Sequence, residues 1–131
     1  MGGFADYWAD KIPDHIFGKG SYSPPTIYVG LSTADPLDDA SGLAEPSGNA
    51  YARVQTSASD WNAASGGSLD NANNIIFPQA TGNWGTITHF ALFDAATAGN
   101  ILAHGALSQS KAIGESYTAG FEAGDLDISL D

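Results

Sequence analysis

Residues 77–107 read FPQATGNWGTITHFALFDAATAGNILAHGAL. The block is apolar, rich in Gly, Ala and Thr, and carries only Asp94, His89 and His104 as ionisable groups. It predicts a short strand ended by Pro78, a tight turn, a strand over residues 84–93, a return loop over 94–100 and a strand over 100–107. In the 84–93 strand, Ile87, Ala91 and Phe93 share one face with His89, while Phe90 and Leu92 take the other. Apolar side chains on both faces mark a strand buried on both sides. The small run Ala103-His104-Gly105-Ala106 permits another backbone to approach closely.

Outward from this block the chain is loop-like and acidic. Residues 4–17 read as a helix, with Phe4, Trp8, Ile12 and Ile16 on one stripe at i+4 spacing and Gly18 as its stop. Pro13 removes one helical hydrogen bond, so the helix either kinks there or is two short helices. β-branched and aromatic residues predict strands over 26–32 and 51–56, with shorter ones over 75–77, 111–113 and 117–121. Residues 126–130 (LDISL) alternate, so that strand has one wet face. Between these lie two long polar loops, 33–49 (TADPLDDASGLAEPSGN) and 57–74, of a length that in compact domains is often functional. The expected architecture is mainly β, an antiparallel β-sandwich or barrel preceded by one helix. A single domain spans residues 1–131, with a helix arm at 1–18 and a β domain at 26–131.

The chain has 131 residues, no cysteine, four basic residues, fifteen acidic ones and a formal net charge of −11. Disulfides, Cys-zinc sites and thiol nucleophiles are thereby excluded. Phosphate recognition needs clustered Lys and Arg, so nucleic acid is not an expected partner. The start MGGFAD lacks a basic region and an apolar run, Asp6 breaks the myristoylation pattern, and no stretch is apolar enough for a membrane helix. Copies of so acidic a chain repel one another, so any assembly must use apolar or neutral patches or a more basic partner.

Catalytic motifs are missing. GGSLD at residues 66–70 lacks the last glycine of a nucleophile elbow, and Gly18-Lys19-Gly20 is too short for a phosphate loop. His89 and His104 sit on strands expected to pair, but a zinc site needs a third ligand, and core-edge histidines are the commoner case. Asp35, Asp38, Asp39 and Glu45 form the best candidate for calcium, although a solvated acidic loop explains them more simply. A pair of carboxylates for sugar hydrolysis would also need a cleft, which sequence does not reveal. Trp84 opens the buried strand and reads as core, whereas Trp61 in its polar loop is the better candidate for an exposed contact with a sugar or a neighbouring subunit. Arg53, the single arginine, fits a bidentate pair within the chain, with an intersubunit pair as the alternative. No cofactor and no metal are expected.

Several pieces in order carry a resemblance: DHIFG (14–18) closing the helix, TIYVGLSTADP (26–36), GNAYAR (48–53), FP (77–78), WGTITHFALFDA (84–95), and the alternating C-terminal strand ending Leu130-Asp131. Together they resemble a family of small bacteriophage virion structural proteins, variously labelled tail-fibre-like or head decoration proteins. Pro13 departs from the family pattern. The resemblance implies a non-enzymatic component of the virion, on the head surface or the tail, present in the host cytoplasm during assembly. The leading expectation is a capsid decoration (cement) protein stabilising the shell by multivalent contacts. The alternatives are a structural or adhesion component of the tail or tail fibre, and a carbohydrate-binding module. Expected partners are the major capsid protein or tail proteins of the same virion, together with further copies of the chain, a trimer among them. The interface candidates are Phe4, Trp8, Ile12 and Ile16 on the helix, Asp35, Leu37 and Leu43 in the first long loop, and Arg53 and Trp61.

Overall fold

The computed structural model describes residues 2–130 and is mainly β: a curled sheet forming a half-barrel, with a single helix near the N-terminus. Its strands are β1 (Gly2–Phe4), β2 (Tyr28–Ser32), β3 (Val54–Gln55), β4 (Ser68–Leu69), β5 (Ile75–Ile76), β6 (Gly85–Phe93), β7 (Ile101–Ile113), β8 (Gly120–Phe121) and β9 (Ile128–Ser129). The helix α1 covers Trp8–Ile16, and a short 3-10 turn covers Ala58–Asp60. The seven-stranded sheet runs β3-β2-β6-β7-β1-β9-β4, and β5 and β8 form a separate pair.

β6 is central, as its apolar faces require, pairing antiparallel with β2 on one side and β7 on the other. The face assignment differs from strict alternation. Ile87 joins Phe90 and Leu92 in the main core, whereas Ala91 and Phe93 pack in a second cluster with Ala5 and Ile101. The cause is a bulge. Ile87 is in register with Lys111 and His89 with Ala106, so one residue of β6, Thr88, stands opposite residues 107–110 of β7. A bulge shifts the side-chain phase along the strand, which a period of two cannot anticipate. The same geometry makes residues 101–113 one 13-residue strand instead of the two expected.

A second irregularity lies at Leu102, between the pairs Leu92–Ala103 and Phe93–Ile101. Its carbonyl accepts the Ala5 N–H at 3.0 Å and the Trp8 indole N–H at 3.0 Å. These bonds fix where the chain leaves the sheet and the helix begins. The expected helix over residues 4–17 is therefore shortened at its start. Gly2–Phe4 is a strand, antiparallel to β7 and parallel to β9, so the sheet is not wholly antiparallel. Gly2 explains the preference, because a Cβ there would come within 2.6 Å of the Phe90 ring and 2.8 Å of the His104 carbonyl. Glycines are poor helix formers, and here they let two backbones close up over a core aromatic. Pro13 is carried inside the nine-residue α1, which runs as one helix.

The other expected strands exist in shortened form, as β2, β3, β5, β8 and β9. Around the last of these Leu126 and Ile128 are buried with exposed Asp127 between them, in keeping with the alternation, but Leu130, expected on the same face, is exposed beyond the end of β9; Asp131 lies outside the described residues. Residues 57–74 are more ordered than a plain loop. Ser57 and Asp60 form a capping box around the 3-10 turn, and Asn71 is fully buried. The Asn71 amide donates to the carbonyls of Asn73 and Glu122, each at 2.9 Å, and its oxygen accepts the Leu126 N–H at 2.9 Å.

Asn71 thus ties the second long loop to the segment before β9. Asn71→Ala strands the buried Leu126 N–H, worth about 1–3 kcal/mol when unsatisfied, and removes the donor from two part-buried carbonyls, contributions that are not fully additive. We expect a loss of about 2–4 kcal/mol, read as a lower urea midpoint with an unchanged slope.

Candidate functional site

The most constrained cluster of polar side chains surrounds Arg53, just before β3. Its Nε donates to Glu45 Oε2 at 2.9 Å and its Nη2 to Glu45 Oε1 at 2.6 Å. Nη1 donates to the carbonyls of Ala95 at 2.9 Å and Ala98 at 2.8 Å, in the turn between β6 and β7. The guanidinium carbon sits 3.4 Å from the centre of the Phe93 ring, and the side chain is only 5% exposed. The Tyr51 hydroxyl donates to Glu45 Oε2 at 2.7 Å and accepts the Leu31 N–H at 3.0 Å. Burial, together with the Glu45 carboxylate, pushes the Tyr51 phenol well above its ordinary pKa. Gly30 leaves the space for this cluster, since a Cβ there would meet Phe93, Tyr51 and Glu45 at 2.9–3.1 Å. The bidentate pair expected of Arg53 is present within the chain, and its donors are directed inward.

Glu45 is brought there by the first long loop folding back on β2. Thr33 N–H donates to the Ala44 carbonyl at 3.0 Å, and Ala44 N–H donates to Ser32 Oγ at 3.1 Å. Leu37 and Ala40 take positive φ values of 64° and 66°, turning the loop tightly over the buried Pro36. The loop's acids point in different directions. Glu45 serves Arg53, and Asp39 accepts the Ser41 N–H at 2.9 Å. Asp38 lies 2.7 Å and Asp35 3.7 Å from His104 on β7. The Asp38 carbonyl also accepts the Asp6 N–H at 3.0 Å, linking loop, sheet and helix start. Among the described residues no three His, Asp or Glu side chains gather closely enough to hold a metal. His89 pairs with Ala106 and bonds Thr88, whereas His104 pairs with Ala91, so the two histidines do not form a joint site.

The other interface candidates scatter. Phe4, Trp8 and Trp61 are half-buried against the main core, and Leu43 against the second cluster. The Trp61 indole donates to Thr56 Oγ1 at 2.9 Å, which makes it a brace between loop and core and corrects the exposed placement expected of it. Trp84 is core, as expected, with its indole on the Asn49 carbonyl at 2.8 Å. Ile16 is 68% and Leu37 48% exposed, and Phe17, not singled out in the sequence, is 76% exposed. Ile12 and Ile16 line a shallow notch with Trp8, Lys11, His15 and Tyr22. A feature with no marker in the sequence is an open groove of about 470 Å³ between the C-terminal half of β7 and residues 117–127. Its walls are residues 106–113 of β7 and residues 117–127, which the three-dimensional fold alone brings face to face.

The family model described as podophage GP4 fiber I protein gp80 matches residues 3–129, nearly the entire chain. The resemblance to small phage virion structural proteins is borne out by that match. No curated protein matches the chain closely enough to count as a relative.

Asp94 gives the network a dependence on pH. Burial raises its pKa, but the Asn100 side chain at 2.9 Å and N–H at 2.7 Å, with the Arg53 charge nearby, hold it below the usual carboxylate value. A depressed carboxyl stabilises the fold above its unfolded pKa, near 3.9, and that contribution fades as pH falls through the folded value. Urea unfolding from pH 7 to pH 2 is expected to show the stability gap between parent and Asp94→Asn shrinking below about pH 4.

Proposed function

Because the chain belongs to the podophage GP4 fiber I protein gp80 family, we propose that it is a structural component of a podophage fibre, carried on the virion and acting without catalysis. The observation that carries this reading is the family match over residues 3–129. It favours the fibre placement over the head-decoration placement first expected from the sequence, since the family description names a fibre and no part of a shell.

The geometry suits a passive building block. The single arginine is spent inside the fold, where it locks the first long loop and the β6–β7 turn to one rigid sheet. The exposed apolar groups at the end of α1, Ile16 and Phe17, and Leu37 in the loop are then presented from fixed positions. Contacts of this size are weak one at a time and gain strength when several copies engage together. The partners we propose are tail proteins of the same virion and further copies of the chain. The net charge of −11 keeps free copies apart until assembly brings them together.

Gold-labelled antibodies raised against the protein, applied to intact particles, are expected to mark fibres or their attachment points at the tail. Label spread over the head surface, with copy numbers approaching those of the shell protein, would return the decoration reading to first place.

A further inference from the structure

We infer that the open edge of β7 over residues 106–113 is a self-association surface, on which a second copy of this chain docks edge to edge. The inference goes beyond the fibre reading and does not depend on it. Among the described residues β1 covers β7 at residues 103–105, and β6 leaves it between Ala106 and Lys111. Among the described residues, 107–110 are paired with no other strand, and their backbone groups bond to no loop. A row of unbonded N–H and C=O groups is a template for another strand. Here the row forms one wall of the groove of about 470 Å³. Tyr117 and Phe121 provide apolar contact inside it, and residues 124–127 form the far wall.

Charge selects the occupant. β7 has no acidic residue along its 13 positions, in a chain with a net charge of −11. Lys111, on the near wall, has no ion-pair partner among the described residues, and neither have Asp125 and Asp127 on the far wall. The patch is therefore self-complementary. In a two-fold pairing of β7 edges, the lysine of each copy turns toward Asp125, whose carboxylate also accepts the Glu122 N–H at 3.1 Å, and Asp127 of the other. The first long loop offers no such match, since Asp35, Asp38 and Asp39 would meet their own equivalents there. The bulge and the single lysine also limit the edge to a short pairing that closes on one partner copy instead of propagating as a stack.

Sedimentation equilibrium of the intact chain, from micromolar to millimolar concentration at physiological salt, tests this. A concentration-dependent dimer is expected. Gln109→Pro, which removes an N–H from a position without a native strand partner, should leave monomer. Lys111→Glu should weaken the dimer about tenfold, and adding Asp127→Lys should restore it. Thermal unfolding checks that each variant folds, and the charge exchange decides the matter if the proline variant does not. Monomer throughout the range, or an assembly indifferent to these substitutions, would overturn the inference, whereas the fibre placement would stand or fall on the labelling of particles alone.

Discussion

The structure depends on one buried ion pair. Arg53 and Glu45 meet in a two-pronged contact over the Phe93 ring, and the remaining guanidinium donors hold the Ala95 and Ala98 carbonyls. Removing two charges from water is costly, and the gain recovers that cost only when the geometry is good and the leftover lone pairs and protons are satisfied. Both conditions are met, because Tyr51 adds a third bond to the Glu45 carboxylate. The pair joins the first long loop to the β6–β7 turn, two segments with little apolar surface of their own. Without it the loop would keep its bonds to Ser32 and Thr33, the Asp6 N–H on the Asp38 carbonyl, the contact of Asp38 with His104 and the Trp84 indole on the Asn49 carbonyl, but would lose its hydrogen-bonded link to the β6–β7 turn.

A second constraint is charge. With fifteen acids against four bases, and one of those bases buried, the charge on the exterior is nearly all acidic. Such a surface suppresses indiscriminate association and places weight on the few neutral or apolar patches that remain. Among them are the end of α1, Leu37, Ile76, Leu130, and the C-terminal half of β7 beside its groove. A building block of a fibre needs this combination of general repulsion and a small number of permitted contacts.

Much of the fold was legible in the sequence because hydrophobic pattern governs it. The two-sided burial of residues 85–93, the hairpin into β7, the wet face of the last strand and the core position of Trp84 all follow from local composition. The misplaced features share a cause, which is that they depend on pairings between distant residues. Phe4 fits a helical stripe and so extends the expected helix too far toward the N-terminus; only the presence of β7 turns Gly2–Phe4 into a strand. The phase of Ile87 follows a bulge whose extra residues lie on the partner strand. Trp61 in a polar stretch reads as exposed, yet Thr56 and the core take it up. Arg53 was legible as one half of a bidentate pair, but its carbonyl partners 42 and 45 residues away were not. The groove lay outside any sequence signal, since spatial register alone creates it.

The central claim is that the Arg53–Glu45 pair couples loop 33–49 to the β6–β7 turn through one rigid sheet. Hydrogen exchange of Arg53→Met beside the parent chain tests it most directly. The account predicts that the amides of Thr33, Gly42 and Ala44 and those of the 94–100 turn lose protection together, while the paired amides of β6 and β7 keep theirs. Unchanged protection in both segments, or loosening in one without the other, would contradict it.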